Sequence, residues 1–309
     1  MAFHFCSLAS GSSGNCYIIQ LGETVLILDA GIAGKRVMAG LEALNIDIAD
    51  VSAILLTHEH TDHTKSIRMI ARKAESAEVY GTEGTFIGIG ESKLPPDRLT
   101  VIEGGEDFRI ADIEVKAFNL SHDALEPVSY SFVHDGRQLT VVTDTGFVSE
   151  EIMREMEGAN TLVLEANHEV NVLRVGSYPF ELQERILGDK GHLSNETAAR
   201  CINKIMEARK AAGDKKYAGV KSDSDDMRNI KNAGAENSVC KSYSAVTEQT
   251  IKEDDNLKVI LAHLSGENNS PEIALRTVEN FMFEEDNYPG EGVELSVFSR
   301  SEPSPWIDI

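Results

Sequence analysis

The sequence predicts a layered α/β protein, with helices packed on a largely apolar sheet. Three observations carry that expectation. Residues 53–56, Ala-Ile-Leu-Leu, form a short, wholly apolar run, as in a strand covered on both faces. Asp135-Gly136 separates two β-rich runs, a strong two-residue hairpin signal. Two later stretches pair a helix start with apolar residues at helical spacing.

In chain order, residues 16–21 and 24–29 flank Gly22-Glu23 and read as a hairpin. Val37, Leu41 and Leu44 have helical spacing, and 63–74 reads as a second helix after the strand at 53–56. Residues 113–120 read as a strand, 128–134 and 138–143 as the arms of the Asp135-Gly136 hairpin, and 161–166 as a further strand. Ser194 caps a helix whose stripe is Ala198, Cys201, Ile202, Ile205 and Met206. Residues 259–262 give another strand. Ser270-Pro271 then sets a cap before proline at the first helical position, with Ala274, Leu275, Val278 and Phe281 as the stripe. Residues 210–256 break the pattern. Rich in Lys, Asp, Ser, Asn and Glu, they read as a surface insertion, helical in places or partly disordered, in a chain expected to form one domain over 1–309.

With 309 residues and 41% hydrophobic content the chain has enough apolar surface for a sizeable core. No run of 18 apolar residues suggests a membrane span, and MAFHFCSLASGSSGN does not read as a signal peptide. Cys6, Cys16, Cys201 and Cys240 form no CxxC pair and read as reduced thiols of a cytoplasmic protein. The formal net charge of −22 argues against broad, nonspecific binding to nucleic acid, because phosphate repels so acidic a surface. A nucleic-acid substrate would need local positive charge, most simply metal ions. The charge also serves solubility.

Chemistry concentrates in THEHTDH, residues 57–63, directly after the apolar run. On an extended backbone His58, His60 and Asp62 share one side, and His63 starts a helix pointing back to the same region. Neutral imidazole and carboxylate are good ligands for Zn²⁺ or Mn²⁺. One ion cannot easily use all four residues of so short a loop, whereas two adjacent ions can. His122, Asp144 and His263 each follow an expected strand, the place where α/β folds gather their sites. Six of nine histidines (His58, His60, His63, His122, His192 and His263) fall at such loop positions, a skew that scattered core histidines would not give.

The order LDAG with Asp29, HEHTDH, His122, Asp144 and His263 resembles the metallo-β-lactamase superfamily. That resemblance implies a four-layer αββα sandwich with a dinuclear site. His58, His60 and His122 would hold one ion and Asp62, His63 and His263 the other. Asp144 would bridge them, and Asp29 would hold a ligand histidine by hydrogen bond. A closer resemblance, over almost the whole chain, is to the YycJ/WalJ family of bacterial proteins of this fold. It is carried by SLASGSSGNCYII (7–19), LEANHE (164–169), RILGDKGHLSN (185–195), LAHLSGENN (261–269) and SPWI (304–307). It implies a 5′-to-3′ exonuclease acting on DNA. The segment 210–256 departs from the family pattern by lengthening the stretch between His192 and His263.

Two ions about 3.5–4 Å apart hold a bridging hydroxide at neutral pH and clamp the oxygens of a phosphodiester. The expected protein is therefore a metal-dependent phosphodiester hydrolase with two divalent ions per chain, Zn²⁺ or Mn²⁺. The redox branch of the superfamily usually places an acid where this chain has His60, which favours hydrolysis. His192, in GHLSN, resembles a histidine just upstream of the last ligand in the tRNA 3′-processing nuclease RNase Z. It is the expected acid for the leaving alkoxide, with Asp62 the other catalytic group. Ser10, Ser12, Ser13 and Asn15 of the SGSSGN loop are expected to help hold a terminal phosphate, and His168 to touch substrate. Arg185 and Lys190 are further candidate phosphate contacts. DNA is expected over RNA, with no membrane association and no protein partner to infer. Three other readings compete. Acidity and the absence of an evident basic groove favour a small-molecule hydrolase, such as a cyclic phosphodiesterase, lactonase or lactamase. An RNA-directed nuclease would use the same site. A regulatory protein with a structural metal fits less well, because seven ligands over two ions leave room for water.

Overall fold

The computed structural model describes residues 2–90, 94–218 (side chains as far as 212) and 256–309. Its strands are β1 (Phe3–Ala9), β2 (Cys16–Leu21), β3 (Thr24–Leu28), β4 (Val51–Leu55), β5 (Glu78–Gly81), β6 (Leu99–Val101), β7 (Asp107–Ile110), β8 (Ile113–Asn119), β9 (Val128–His134), β10 (Arg137–Val142), β11 (Thr161–Glu165), β12 (Leu257–Ala262), β13 (Val293–Val297) and β14 (Ile307–Asp308). Its helices are α1 (Gly34–Ala43), α2 (Thr61–Thr64), α3 (Ile67–Lys73), α4 (Glu83–Ile89), α5 (Glu150–Gly158), α6 (Val170–Val175), α7 (Phe180–Leu187), α8 (Asn195–Ala218) and α9 (Pro271–Glu284). The expected insertion at 210–256 lies, apart from Asn256 and its first residues at the end of α8, outside the described residues.

Two seven-stranded sheets form, ordered β14-β1-β2-β3-β4-β5-β6 and β13-β12-β11-β10-β9-β8-β7. Each is mixed. Strands β14 to β3 pair antiparallel and β3 to β6 parallel; β7 to β10 pair antiparallel and β10 to β13 parallel.

Strand alternation builds the layers, because successive side chains face opposite sides of a sheet. In β3, Leu26 and Leu28 join a central core that also holds Phe5, Tyr17, Tyr130 and Phe132, so it lies between the sheets. Val25 and Ile27 face the other way, against Val37 and Leu41 of α1 and Ile67 and Ile70 of α3. In β11, Val163 enters the central core while Leu162 and Leu164 pack on Ile152 and Met156 of α5 and Ile202 and Ile205 of α8. Helix, sheet, sheet, helix is the four-layer αββα arrangement. The Asp135-Gly136 turn has φ of 46° and 77°, the double left-handed conformation that a two-residue hairpin requires.

The helix expected at 63–74 is broken. α2 and α3 are separated at Ser66, whose N–H and Oγ both donate to the Ala30 carbonyl, at 2.8 and 3.0 Å. That tertiary bond replaces the helical one and turns the chain. In addition, α2 begins at Thr61, so Asp62 stands on a helical turn rather than on extended backbone.

Candidate metal centre

The C-terminal ends of β3, β4, β8, β10, β11 and β12 converge on one edge of the sandwich, and each brings a charged or imidazole side chain. Three of these residues, Asp29, Asp144 and His263, have left-handed backbone, with φ of 60°, 61° and 56°. Such non-glycine conformations carry strain of order 1–3 kcal/mol and persist where the surroundings over-determine them. Here Asp29 N–H donates to the Leu55 carbonyl (2.9 Å) and His263 N–H to Ser10 Oγ (3.0 Å).

Among the described residues the donors fall into three groups, two of them overlapping, whose ligating atoms lie within 4.8 Å of one another: His58, His60 and His122; Asp62, His63, Asp144 and His263; and Asp144, Glu165, His192 and His263. His60 Nδ1 is 3.3 Å from His122 Nε2. Asp144 stands between the first two groups, with Oδ2 3.1 Å from His63 Nε2 and Oδ1 3.9 Å from His122 Nε2 and 3.4 Å from His263 Nε2.

The opposite ring nitrogens are held by the protein, which frees the inner ones. His63 Nδ1 donates to Asp29 Oδ2 at 2.7 Å, His263 Nδ1 to Glu165 Oε1 at 2.8 Å, and His122 Nδ1 to the Gly191 carbonyl at 3.3 Å. Thr57 ties the first turn together. Its hydroxyl donates to the Asp29 carboxylate and lies 3.0 Å from His58 Nδ1 and 3.1 Å from His63 Nδ1. Gly31 lets the LDAG loop pass directly under this turn, because a Cβ there would overlap the Asp62 carbonyl oxygen. Ala30 N–H donates to the His63 carbonyl and Gly31 N–H to the Asn15 carbonyl, both at 2.8 Å.

Electrostatics separates the imidazoles. Burial holds His58 and His122 below the usual histidine range, in the neutral form that coordinates metal. At His263 burial pulls the same way, but Asp144, Asp62 and Glu165 outweigh it and lift the ring to about 10. Burial likewise opposes ionisation of Asp144, yet His263 and His63 keep its carboxyl well below the usual range. A carboxylate cluster this buried requires compensating cations. His58 Nε2 and His263 Nε2 are buried without any hydrogen-bond partner, a rare condition for interior polar atoms. Unpartnered imidazole nitrogens beside carboxylates, at these separations, fit divalent metal ions.

Glu165 carries no role expected from the sequence. It is fully buried at the end of β11. Its Oε1 accepts from His192 Nδ1 and His263 Nδ1, both at 2.8 Å, and its Oε2 from the Thr145 and Leu193 N–H groups at 3.2 and 3.1 Å. Burial would raise its carboxyl, but His192 and His263 hold it down at about 2. A carboxylate closing an apolar strand was the available signal.

The SGSSGN loop divides. Ser10 is buried, its Oγ shared with Tyr17 OH at 2.8 Å and with His263 N–H. Asn15 is buried too. Its Oδ1 accepts from Gly11 N–H and its Nδ2 lies 3.0 Å from His63 Nε2. Both hydrogen-bonding groups are engaged inside the protein, which removes the basis for expecting phosphate contacts from them. Ser12 and Ser13 are exposed. His168 is buried at 1% exposure with neither ring nitrogen partnered, and it lies away from the surface a substrate would touch. Beside the donors, Ser12, Asn167, Tyr178, Arg185, Lys190, His192 and Ser265 line a cavity of about 170 Å³. Arg185 is already paired with Asp123, its Nε 2.6 Å from Oδ2.

The Beta-lactamase superfamily domain family matches residues 24–212. The chain is 41% identical over 208 residues to an exodeoxyribonuclease YycJ of Bacillus anthracis, covering 67% of this chain and 78% of that one. It is 32% identical over 305 residues to an exodeoxyribonuclease WalJ of Streptococcus pneumoniae serotype 2 (strain D39), covering 97% and 95%. Among solved structures, the metallo-β-lactamase fold protein YhfI of Bacillus subtilis superposes with a TM-score of 0.63 at 11% identity, covering 100% of both chains, a likeness of fold alone. Two sheets ordered as a sandwich, a shared edge of imidazole and carboxylate donors, and a relative matched along nearly its full length lead to one assignment: the chain belongs to the metallo-β-lactamase superfamily and, within it, to the family of the YycJ and WalJ exodeoxyribonucleases.

Proposed function

We propose that this chain is a metal-dependent phosphodiester hydrolase acting as a 5′-to-3′ exonuclease on DNA, with two divalent ions, Zn²⁺ or Mn²⁺, per chain. The observation that carries the reading is the pair of donor groups meeting at Asp144. Two similar relatives, each named an exodeoxyribonuclease, support the substrate class. A nitrogen-rich donor set suits Zn²⁺ or Mn²⁺ better than Mg²⁺ or Ca²⁺.

His58, His60 and His122 would hold one ion, Asp62, His63 and His263 the other, and Asp144 would bridge. When bound, such a pair supplies a water nucleophile at neutral pH and neutralises charge on the phosphodiester. The chain supplies the rest. His192 lines the cavity beside the donors, and its Nδ1 donates to Glu165 Oε1, which leaves Nε2 free to protonate the leaving oxygen. Although burial pulls the other way, Glu165 and Asp144 raise the His192 ring above the usual histidine range, the direction a general acid needs. Asp62, a partly exposed carboxylate of its group, would help orient the water nucleophile. Ser12 and Lys190 are the remaining candidate phosphate contacts at the rim.

End-labelled single- and double-stranded DNA, incubated with Mn²⁺ or Zn²⁺, tests the reading. Stepwise release of mononucleotides from the 5′ end, abolished by chelation and by Asp144→Ala, is expected. Release from the 3′ end only would refute the polarity, and no release with any metal would defeat the nuclease. The net charge of −22 favours a second reading, a hydrolase of small esters or cyclic phosphodiesters. Turnover of those with intact DNA would establish it.

A further inference from the structure

Two of the exposed large apolar side chains, Leu125 at 62% and Phe147 at 55%, line one groove beside the metal centre. The groove encloses about 370 Å³ and is bounded also by His122, Pro127, Glu151 and Lys190. That is within the size range of small-ligand sites. His122 and Lys190 line both this groove and the cavity beside His192, so the two recesses adjoin at those residues.

Both apolar residues are fixed to the segments that carry the donors. Leu125 N–H donates to Glu59 Oε1 at 2.9 Å, and Glu59 stands between His58 and His60. Glu59 is the acidic residue of HEHTDH that no donor group includes. The Phe147 carbonyl accepts from Thr145 Oγ1 at 2.7 Å, and Thr145 follows Asp144. Thr145 Oγ1 also accepts from Ser121 N–H at 3.2 Å, next to His122. The platform thus has a set position relative to the donors.

We propose that Leu125 and Phe147 form a stacking platform for the base of an unpaired nucleotide next to the scissile phosphate, so that the enzyme engages nucleic acid at single-stranded or frayed ends. The inference rests on the phosphodiesterase reading above. Charge sets the orientation. Lys190, at the junction of the two recesses, suits phosphate, whereas Glu151 lines only the second and repels it. The backbone therefore runs past Lys190 and the neutral base enters the groove. An aromatic face accepts any base, which suits an exonuclease that must pass every sequence.

The test compares wild type, Phe147→Ala, Phe147→Trp and Phe283→Ala on oligonucleotides with 2-aminopurine at the terminal position, as single strands, frayed duplexes and blunt duplexes. Phe283 is a distant exposed aromatic stacked on Tyr288, so it controls for loss of exposed aromatic surface. Stacking quenches 2-aminopurine, and this reads binding independently of cleavage. Loss of one stacked base corresponds to about a five- to 150-fold rise in KM for single strands. Phe147→Ala is expected to show that rise and lose the quench, Phe147→Trp to restore both, and Phe283→Ala to match wild type. Wild type should favour single-stranded and frayed ends over blunt ones at least tenfold. Cleavage with KM and quench unmoved by Phe147→Ala, or equal use of blunt ends, overturns the platform and leaves the nuclease standing. Quenching without cleavage supports the platform and overturns the nuclease; absence of both overturns the two together.

Discussion

Glu165 spends both carboxylate oxygens on four N–H donors, two of them from imidazoles that face the candidate ions. Glutamine at this position keeps the size but replaces one acceptor by a donor, so an N–H meets an N–H. Glu165→Gln is expected to lower kcat by about 10²- to 10⁴-fold through His192, the proposed acid. It should also weaken metal affinity by about 10- to 100-fold through His263. Steady-state kinetics under metal titration measures both, and a change in kcat below threefold would remove Glu165 from the mechanism. His168 makes a different kind of prediction. Burial holds its ring down at about 4, against 6.5 for an ordinary histidine; the Glu165 carboxylate opposes this without overcoming it, and neither ring nitrogen has a hydrogen-bond partner. Above 6.5 the folded and unfolded chains both carry it neutral, so it adds no pH dependence there. Between 6.5 and about 4 the unfolded chain binds a proton that the folded chain refuses, and stability falls as pH falls. His168→Gln removes that slope. Relative to wild type it should gain about 2–3 kcal/mol in unfolding free energy between about pH 7 and pH 4.5, by urea titration with chelator in both. Parallel curves would show that His168 does not titrate this way.

At the level of elements the site depends on three short segments, 10–15, 29–31 and 61–66, lying one over another. Asn15 N–H donates to the Asp62 carbonyl, Ala30 N–H to that of His63, and Ser66 N–H to that of Ala30, each at 2.8 Å. Gly31→Ala would force the second and third apart at Asp62. The expected result is a loss of about 1–3 kcal/mol of stability and selective weakening of the ion proposed to bind at Asp62, His63 and His263. Equilibrium dialysis should then find the first metal equivalent retained, and loss of both equivalents together would contradict the layered account. This stacking also explains what could and could not be read from sequence. THEHTDH, TDTG and LAHLS announce themselves because polar ligands follow directly on buried strands. The break at Ser66 is invisible locally, since the apolar spacing of Ile67, Ile70 and Ala71 continues the helical pattern and only the distant Ala30 carbonyl interrupts it. Ser10 and Ser12 look alike in a Gly/Ser loop, yet one is shared with Tyr17 inside the protein and the other is exposed. Glu165 reads as a strand boundary because its imidazole partners, at 192 and 263, are far along the chain.

The whole molecule carries a formal charge of −22, yet its proposed substrate is a polyanion. Repulsion between the two acts over roughly a Debye length, about 10 Å at 0.1 M salt and longer in dilute buffer. At the rim of the site Arg185 is neutralised by Asp123, and Lys190 is the cation in the lining without such a partner. On the proposed reading, the described residues at this rim draw affinity from the ions, the platform and a single lysine, and hardly at all from displaced counterions. A protein that neutralises six to ten phosphates loses about 10³- to 10⁵-fold in affinity between 50 and 200 mM salt. For this chain kcat/KM on single-stranded DNA should change by less than about tenfold over that range. It should rise with salt at the dilute end, where screening relieves repulsion faster than it weakens Lys190. Lys190→Gln should flatten what negative slope remains. A steep fall with salt in the wild type would instead require a basic track along the strand, and the assignment of affinity to the metal centre and the stacking face would fail.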